Sequence, residues 1–281
     1  MAEEELPAVQ VRLDFDRLRE IARLGVRRAT VFMGIGTNAA RIEPPIRHAL
    51  DDKAQLTVVP PAVSPEIQKM FVAEFESWVI ANGFRDLVET FSVFLTGAYA
   101  AYDLFEKGKT TRDEHRRVVS RFERLGIEDQ MRRLTELLAL DGRFLAMFAS
   151  LNQARNCLAH RQGVVGMADT PASGQPFDLV WRTRTMMLED GRDVSALLRE
   201  GEEVLVEGGQ KISFVEVERT KRFRIGEVLR LSRHELSEIC FGVTVATEYV
   251  TQGLVAFGKS KGLVIEQTPP PAPDQNQPVS G

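Results

Sequence analysis

From Ser64 onward the apolar residues recur at helical spacing, and no other feature limits the possible folds as tightly. Ser64-Pro65-Glu66 offers a hydroxyl cap followed by proline at the first helical position, and Met70, Phe71, Phe75, Trp78 and Val79 then follow a helical period. One or two helices are expected to about Phe105. Gly108 breaks the pattern, and Thr111-Arg112-Asp113-Glu114 puts a cap and early acids ahead of a further helix through Leu125, which Gly126 ends. Another helix is expected from Glu128 to Leu140. After Asp141-Gly142 a last one runs from Arg143 to about Arg161, with Phe144, Met147, Phe148, Leu151, Ala154 and Leu158 in one apolar stripe.

Past Gly163 the pattern changes. A loop at Asp169 to Pro176 leads to alternating segments, Leu179 to Met187 and Ile212 to Val217, that read as strands of a small antiparallel sheet. Ser232, with Glu235 three residues on, then reopens a helix to about Phe257, expected to return to the bundle. The fold class expected is mainly α, a helical bundle with a small antiparallel β-sheet inserted before the last long helix. In residues, this gives a peripheral segment at 1–62, the bundle at 63–165, the β insertion at 177–226 and the returning helix at 230–262. In the first segment a short amphipathic helix is expected from Asp14 to Leu24, a glycine-rich turn at Gly34 to Gly36 and an extended stretch from Gln55 to Val59. Residues 268–281, with Pro-Pro-Pro-Ala-Pro and then polar residues, have too little apolar surface to offset ordering and are expected to be disordered.

With 43% hydrophobic residues in 281 there is ample material for a core. A formal net charge of −4 speaks against a surface coated with positive charge, so any nucleic-acid contact has to come from a local patch. Two cysteines make no disulfide framework, and the acidic start is unlike a secretory signal, so a cytoplasmic protein is expected. The apolar run from Thr90 to Tyr102 is too short to cross a bilayer, which needs about 20 residues, and reads as a core helix; no membrane partner is expected.

The chemistry concentrates in Arg155-Asn156-Cys157-Leu158-Ala159-His160. Arginine contributes a fixed charge on a planar donor fork, asparagine can orient a neighbour, and histidine exchanges protons near neutral pH. On an ideal helix Asn156 and His160 share a face, while Arg155 lies about 100 to 140° around and reaches them only through its length. An arginine followed by a polar residue, with a histidine after four intervening residues near a helix end, resembles the signature of the HEPN superfamily, in which four to six residues intervene. The resemblance covers the helical part from Pro65 to Gly163, with the helix after Ser232 as its continuation.

The resemblance implies a HEPN-like bundle that forms a homodimer, with two copies of the motif facing one cleft, and a metal-independent endoribonuclease of toxin or antiviral-defence type with no cofactor. His160 would then transfer protons, Arg155 would hold the scissile phosphate and Asn156 would orient one of them. Attack by the ribose 2′-hydroxyl would leave a 2′,3′-cyclic phosphate, so RNA is the expected partner. Some members carry a tyrosine two residues past the histidine as a target for a nucleotidyltransferase; Gln162 stands there, so a neutralising antitoxin or regulatory protein would act otherwise. The alternative is a catalytically inactive HEPN-like module that binds RNA, a nucleotide or a protein partner.

Arg117, Arg121 and Arg124 fall at i, i+4 and i+7 on one helical face and, with Arg161, are the candidate RNA-binding residues; the competing reading is a solvated face with intrahelical ion pairs. Gly34-Ile35-Gly36-Thr37-Asn38-Ala39 fits a dinucleotide-binding pattern but lacks its context, and a plain turn is preferred. Cys157, His160, His234 and Cys240 would suffice for a zinc, yet helical cysteines on apolar stripes are more often buried core, so no metal is expected.

Overall fold

The computed structural model describes residues 13–42, 47–49, 55–57, 64–170, 174–194 and 211–264. In chain order these form α1 (Phe15–Arg27), α2 (Met33–Ile42), β1 (Arg47–Ala49), β2 (Gln55–Thr57), α3 (Pro65–Lys107), α4 (Arg112–Glu123), α5 (Ile127–Leu137), α6 (Leu145–Arg161), β3 (Phe177–Leu188), β4 (Ile212–Phe223) and α7 (Arg233–Ser260). The expected architecture is observed, a mainly helical protein with a small antiparallel hairpin before the last long helix. The 268–281 tail lies outside the described residues.

Helix α3 runs unbroken for 43 residues and is the axis of the bundle. Ser64 caps it through its hydroxyl, with Pro65 at the first turn, and Gly108 ends it at φ 65°, where an L side chain would be strained. Its inward face buries Phe84, Leu87, Phe91, Phe94 and Leu95. Phe91 stacks on Phe148 of α6 at 4.5 Å between centroids, and Tyr99 stacks on Phe122 of α4 at 4.1 Å. These contacts lay α4 and α6 along α3.

Among the described residues of the first segment, the helical part packs against the bundle. Asp14 caps α1 by accepting from the backbone of Asp16 and Arg17, and α1 buries Leu18 and Ala22 against α3 and α7. Gly25 permits a close approach to α3: a β-carbon there would lie 2.8 Å from Thr90 Cβ. Gly34 to Gly36 is no turn. A π-helical turn at Arg28–Phe32 passes the chain directly into α2, which includes both glycines. A helix interior cannot form the phosphate-cradling turn that the glycine pattern would require. Of the expected extended stretch, Gln55–Thr57 forms β2, paired antiparallel with β1, and its last two residues lie outside the described residues.

The β3–β4 hairpin pairs antiparallel from Phe177↔Phe223 to Leu188↔Ile212, longer in β4 than the sequence pattern indicated. Phe177, Leu179, Trp181, Thr183 and Thr185 alternate inward from β3, and this strand packs on α6 and α7. Ser150 of α6 joins the strand's backbone, its hydroxyl donating to Val180 O and accepting from Val180 N at 3.0 Å each. Trp181 Nε1 donates to buried Glu238 Oε2 of α7 at 2.9 Å. Helix α7 is long and apolar enough to cross a membrane, but more than half of that stretch is buried in the fold.

Asp103, buried near the end of α3, accepts from Lys107 Nζ at 2.8 Å and from His115 Nδ1 of α4 at 2.9 Å. Desolvation raises its pKa, but the two hydrogen bonds and the adjacent positive charges outweigh this and hold the carboxyl below its ordinary 3.8. A carboxyl that ionises more readily when folded stabilises the fold above its unfolded pKa, and that contribution is lost as pH falls through the folded value. Asp103→Asn is therefore expected to lower stability at neutral pH and to flatten the decline below about pH 4, as read from urea unfolding at a series of pH values.

Candidate functional site

The motif occupies the C-terminal half of α6, a helix fixed by α3 on one side, α5 on another and β3 on a third. Gln162 ends it in the left-handed conformation at φ 52°, with Gly163 at φ 82° next. Leu229 N then donates to Gly163 O at 2.7 Å, and Val165 N donates to Glu227 O at 2.9 Å, so the segment after β4 braces the end of the motif helix.

Arg155 is partly buried. Its Nη1 donates to Asn156 Oδ1 at 3.1 Å and its Nη2 to Glu89 Oε1 of α3 at 3.1 Å. The first bond draws the guanidinium toward the strip of helix on which Asn156 and His160 lie a turn apart, about 6 Å between β-carbons. The second aims it from another helix. His160 is exposed and makes no hydrogen bond or ion pair among the described residues, which leaves both ring nitrogens open to solvent or a ligand. A held cation and an accessible imidazole on one helix end are groups able to bind an anion and to exchange a proton.

Glu89 escaped sequence reasoning. Its role depends on the packing of α3 against α6, which no local pattern shows. Asp169 escaped it too: this buried carboxylate accepts from both Arg161 Nε, at 2.9 Å, and Arg161 Nη2, and from Gly166 N at 2.8 Å. Arg161 is thus occupied in bracing the loop after α6, a different place from the open RNA contact expected of it.

Arg117, Arg121 and Arg124 are all exposed on or just after α4, and none forms an ion pair among the described residues, unlike Arg132 with Glu128 and Asp129. Their row ends near the motif helix. A β-carbon on Gly126 would lie 3.5 Å from Asn152 Nδ2, and Asn152 is one turn before Asn156 on the same strip.

Cys157 and Cys240 are both buried and free. Burial pushes the Cys157 thiol up to about 11, with Asp169 adding to the rise, and Cys240 up to about 12. Neither provides the thiolate a nucleophile needs at neutral pH. A disulfide-exchange reagent at pH 8 is expected to leave both unmodified in the native protein and to titrate both after denaturation; rapid native labelling would contradict their burial. No group of three or more His, Cys, Asp or Glu suited to a metal occurs among the described residues.

No family model matches the chain, and neither a curated protein nor a solved structure matches it.

Proposed function

We propose that this protein is a HEPN-like, metal-independent endoribonuclease of toxin or antiviral-defence type, acting as a homodimer in the cytoplasm. The observation that carries the reading is the reach of Arg155 across to Asn156, which turns its fork toward the strip bearing an exposed, unpaired His160. In this reading Arg155 grips the scissile phosphate and offsets the charge that develops as the ribose 2′-hydroxyl attacks. His160 moves the proton, the new phosphorus–oxygen bond closes a 2′,3′-cyclic phosphate, and the strand departs with a 5′-hydroxyl. Asn156 and Glu89 orient Arg155, and the arginines of α4 guide the strand toward the motif.

Arg155→Ala is expected to slow cleavage of a labelled RNA by about 10²–10³-fold, the usual effect of removing a donor from a transition-state oxyanion. Arg155→Lys should recover little, because a point charge cannot reproduce the fork. If Arg155→Ala cuts at the parent rate, the assignment fails.

The second reading is an inactive module that binds RNA, a nucleotide or a protein such as an antitoxin. The ion pair between Arg155 and Glu89 favours it, since a guanidinium already satisfied by a carboxylate is a common structural device. Glu89→Gln separates the two. If Glu89 positions Arg155 for catalysis, kcat falls with KM little changed; if it only ties α3 to α6, thermal stability alone changes.

A further inference from the structure

A groove of about 780 Å³ opens between the N-terminal half of α3, the end of α6 and the segment after β4. It begins at Arg85 on α3 and Ala159 on α6, each one turn from the Glu89–Arg155 pair, and leads away from that pair toward the end of α6. The groove therefore meets the candidate site on the Arg155 side, away from the strip carrying His160. Its walls combine apolar and polar groups: α3 contributes Trp78 and Asn82, the end of α6 contributes Leu158 and Gln162, and the segment after β4 contributes Arg230.

Two features ask for an anionic aromatic ligand. The guanidinium of Arg85 makes no hydrogen bond or ion pair among the described residues, and its Nε is buried and unsatisfied. A cation left with an unpaired buried donor is costly unless something supplies the acceptor. Trp78, which also lines the groove, keeps 63% of its surface exposed and is backed by Phe75 with ring centroids 6.2 Å apart. A broad exposed indole on a rigid aromatic support is a stacking platform for a base.

We propose that this groove is a nucleotide subsite for single-stranded RNA, with a base stacked on Trp78, its edge read by Asn82 and Gln162, and its phosphate held by Arg85 with Arg230. The proposal rests on the nuclease reading for the direction of the strand, which would continue from this subsite to the phosphate at Arg155 and then to His160. The subsite itself requires only binding. Unpaired bases fit it, since a base held in a duplex cannot present its face to the indole.

The test uses the full chain and a fluorescein-labelled 2′-O-methyl oligoribonucleotide of mixed sequence, which has no free 2′-hydroxyl to attack and so remains uncut. Binding is followed by anisotropy and by tryptophan emission. Of the two tryptophans Trp181 is only 3% exposed, so quenching by an unlabelled copy of the probe reports on Trp78. The proposal predicts quenching, about tenfold weaker binding for Trp78→Ala, and a similar loss for Arg85→Met with a shallower salt dependence.

Circular dichroism melts confirm that the variants fold; if Arg85→Met does not, Arg85→Lys replaces it and should bind more weakly than the parent. Binding without quenching, or with Trp78→Ala and the Arg85 variant unchanged, would overturn the subsite even if RNA is cleaved. Groove-dependent binding with no cleavage of ordinary RNA would uphold the subsite and remove the nuclease. A second copy of the chain filling the groove, seen as a dimer that Trp78→Ala dissociates and that the probe does not enter, would overturn it as well.

Discussion

Replacing His160 with alanine is expected to reduce RNA cleavage by about 10²–10⁴-fold, the range that a positioned proton-transfer group contributes, while leaving the fold unchanged. The separation of the two effects follows from the surroundings of the ring. His160 is exposed at the end of α6 and bonds to nothing among the described residues, so its removal opens no cavity and breaks no pair. Surface substitutions of that kind usually change stability by about 0.5 kcal/mol or less. Cleavage of a fluorescent RNA and a thermal melt on the same preparation check both halves. Loss of activity together with a large drop in melting temperature would instead mean that His160 supports the helix end.

Gly242→Ala should destabilise the protein by about 2 kcal/mol or more, against the sign that helix propensity alone would give. Alanine in a helix interior is favoured over glycine by about 1 kcal/mol. At this position a β-carbon would run into Arg182 O of β3 and lie 2.9 Å from Met147 Cε of α6. The methionine tip can move, but the strand carbonyl is held in the hairpin pairing Arg182↔Glu218. Overpacking against such a wall costs about 1–3 kcal/mol and often more than propensity returns. The contact lies where α7, β3 and α6 meet, so the strain bears on the support of the motif helix. A fall of about 5 °C or more in melting temperature is expected, and an unchanged or raised value would show that α7 does not approach β3 so closely.

What could be read from the chain alone follows a physical division. Signals carried by adjacent residues were legible: the Ser64-Pro65 start of α3, and the capping boxes Thr111 with Glu114 and Ser232 with Glu235, whose reciprocal bonds are all present. The motif helix was legible because its apolar stripe and its end at Gln162-Gly163 are local as well. Gly34 and Gly36 misled, since glycine weakens a helix without forbidding it, and packing of this region on α3 decides the outcome. The same limit hides tertiary partners. Arg155, Asn156 and His160 could be named from their spacing, but Glu89 and Arg85 acquire their relations to α6 only when helices far apart in sequence come together, and Asp169 only when the loop after α6 turns back on Arg161.

The central claim, that Arg155 and His160 grip and break a ribose-phosphate linkage, is tested most directly by the ends it would leave. Purified protein incubated with a defined single-stranded RNA in excess EDTA is expected to give fragments with 2′,3′-cyclic phosphate and 5′-hydroxyl termini, resolved by mass spectrometry, and to leave the matching DNA intact. Intact RNA, 5′-phosphate ends, or equal cleavage of DNA would contradict the account.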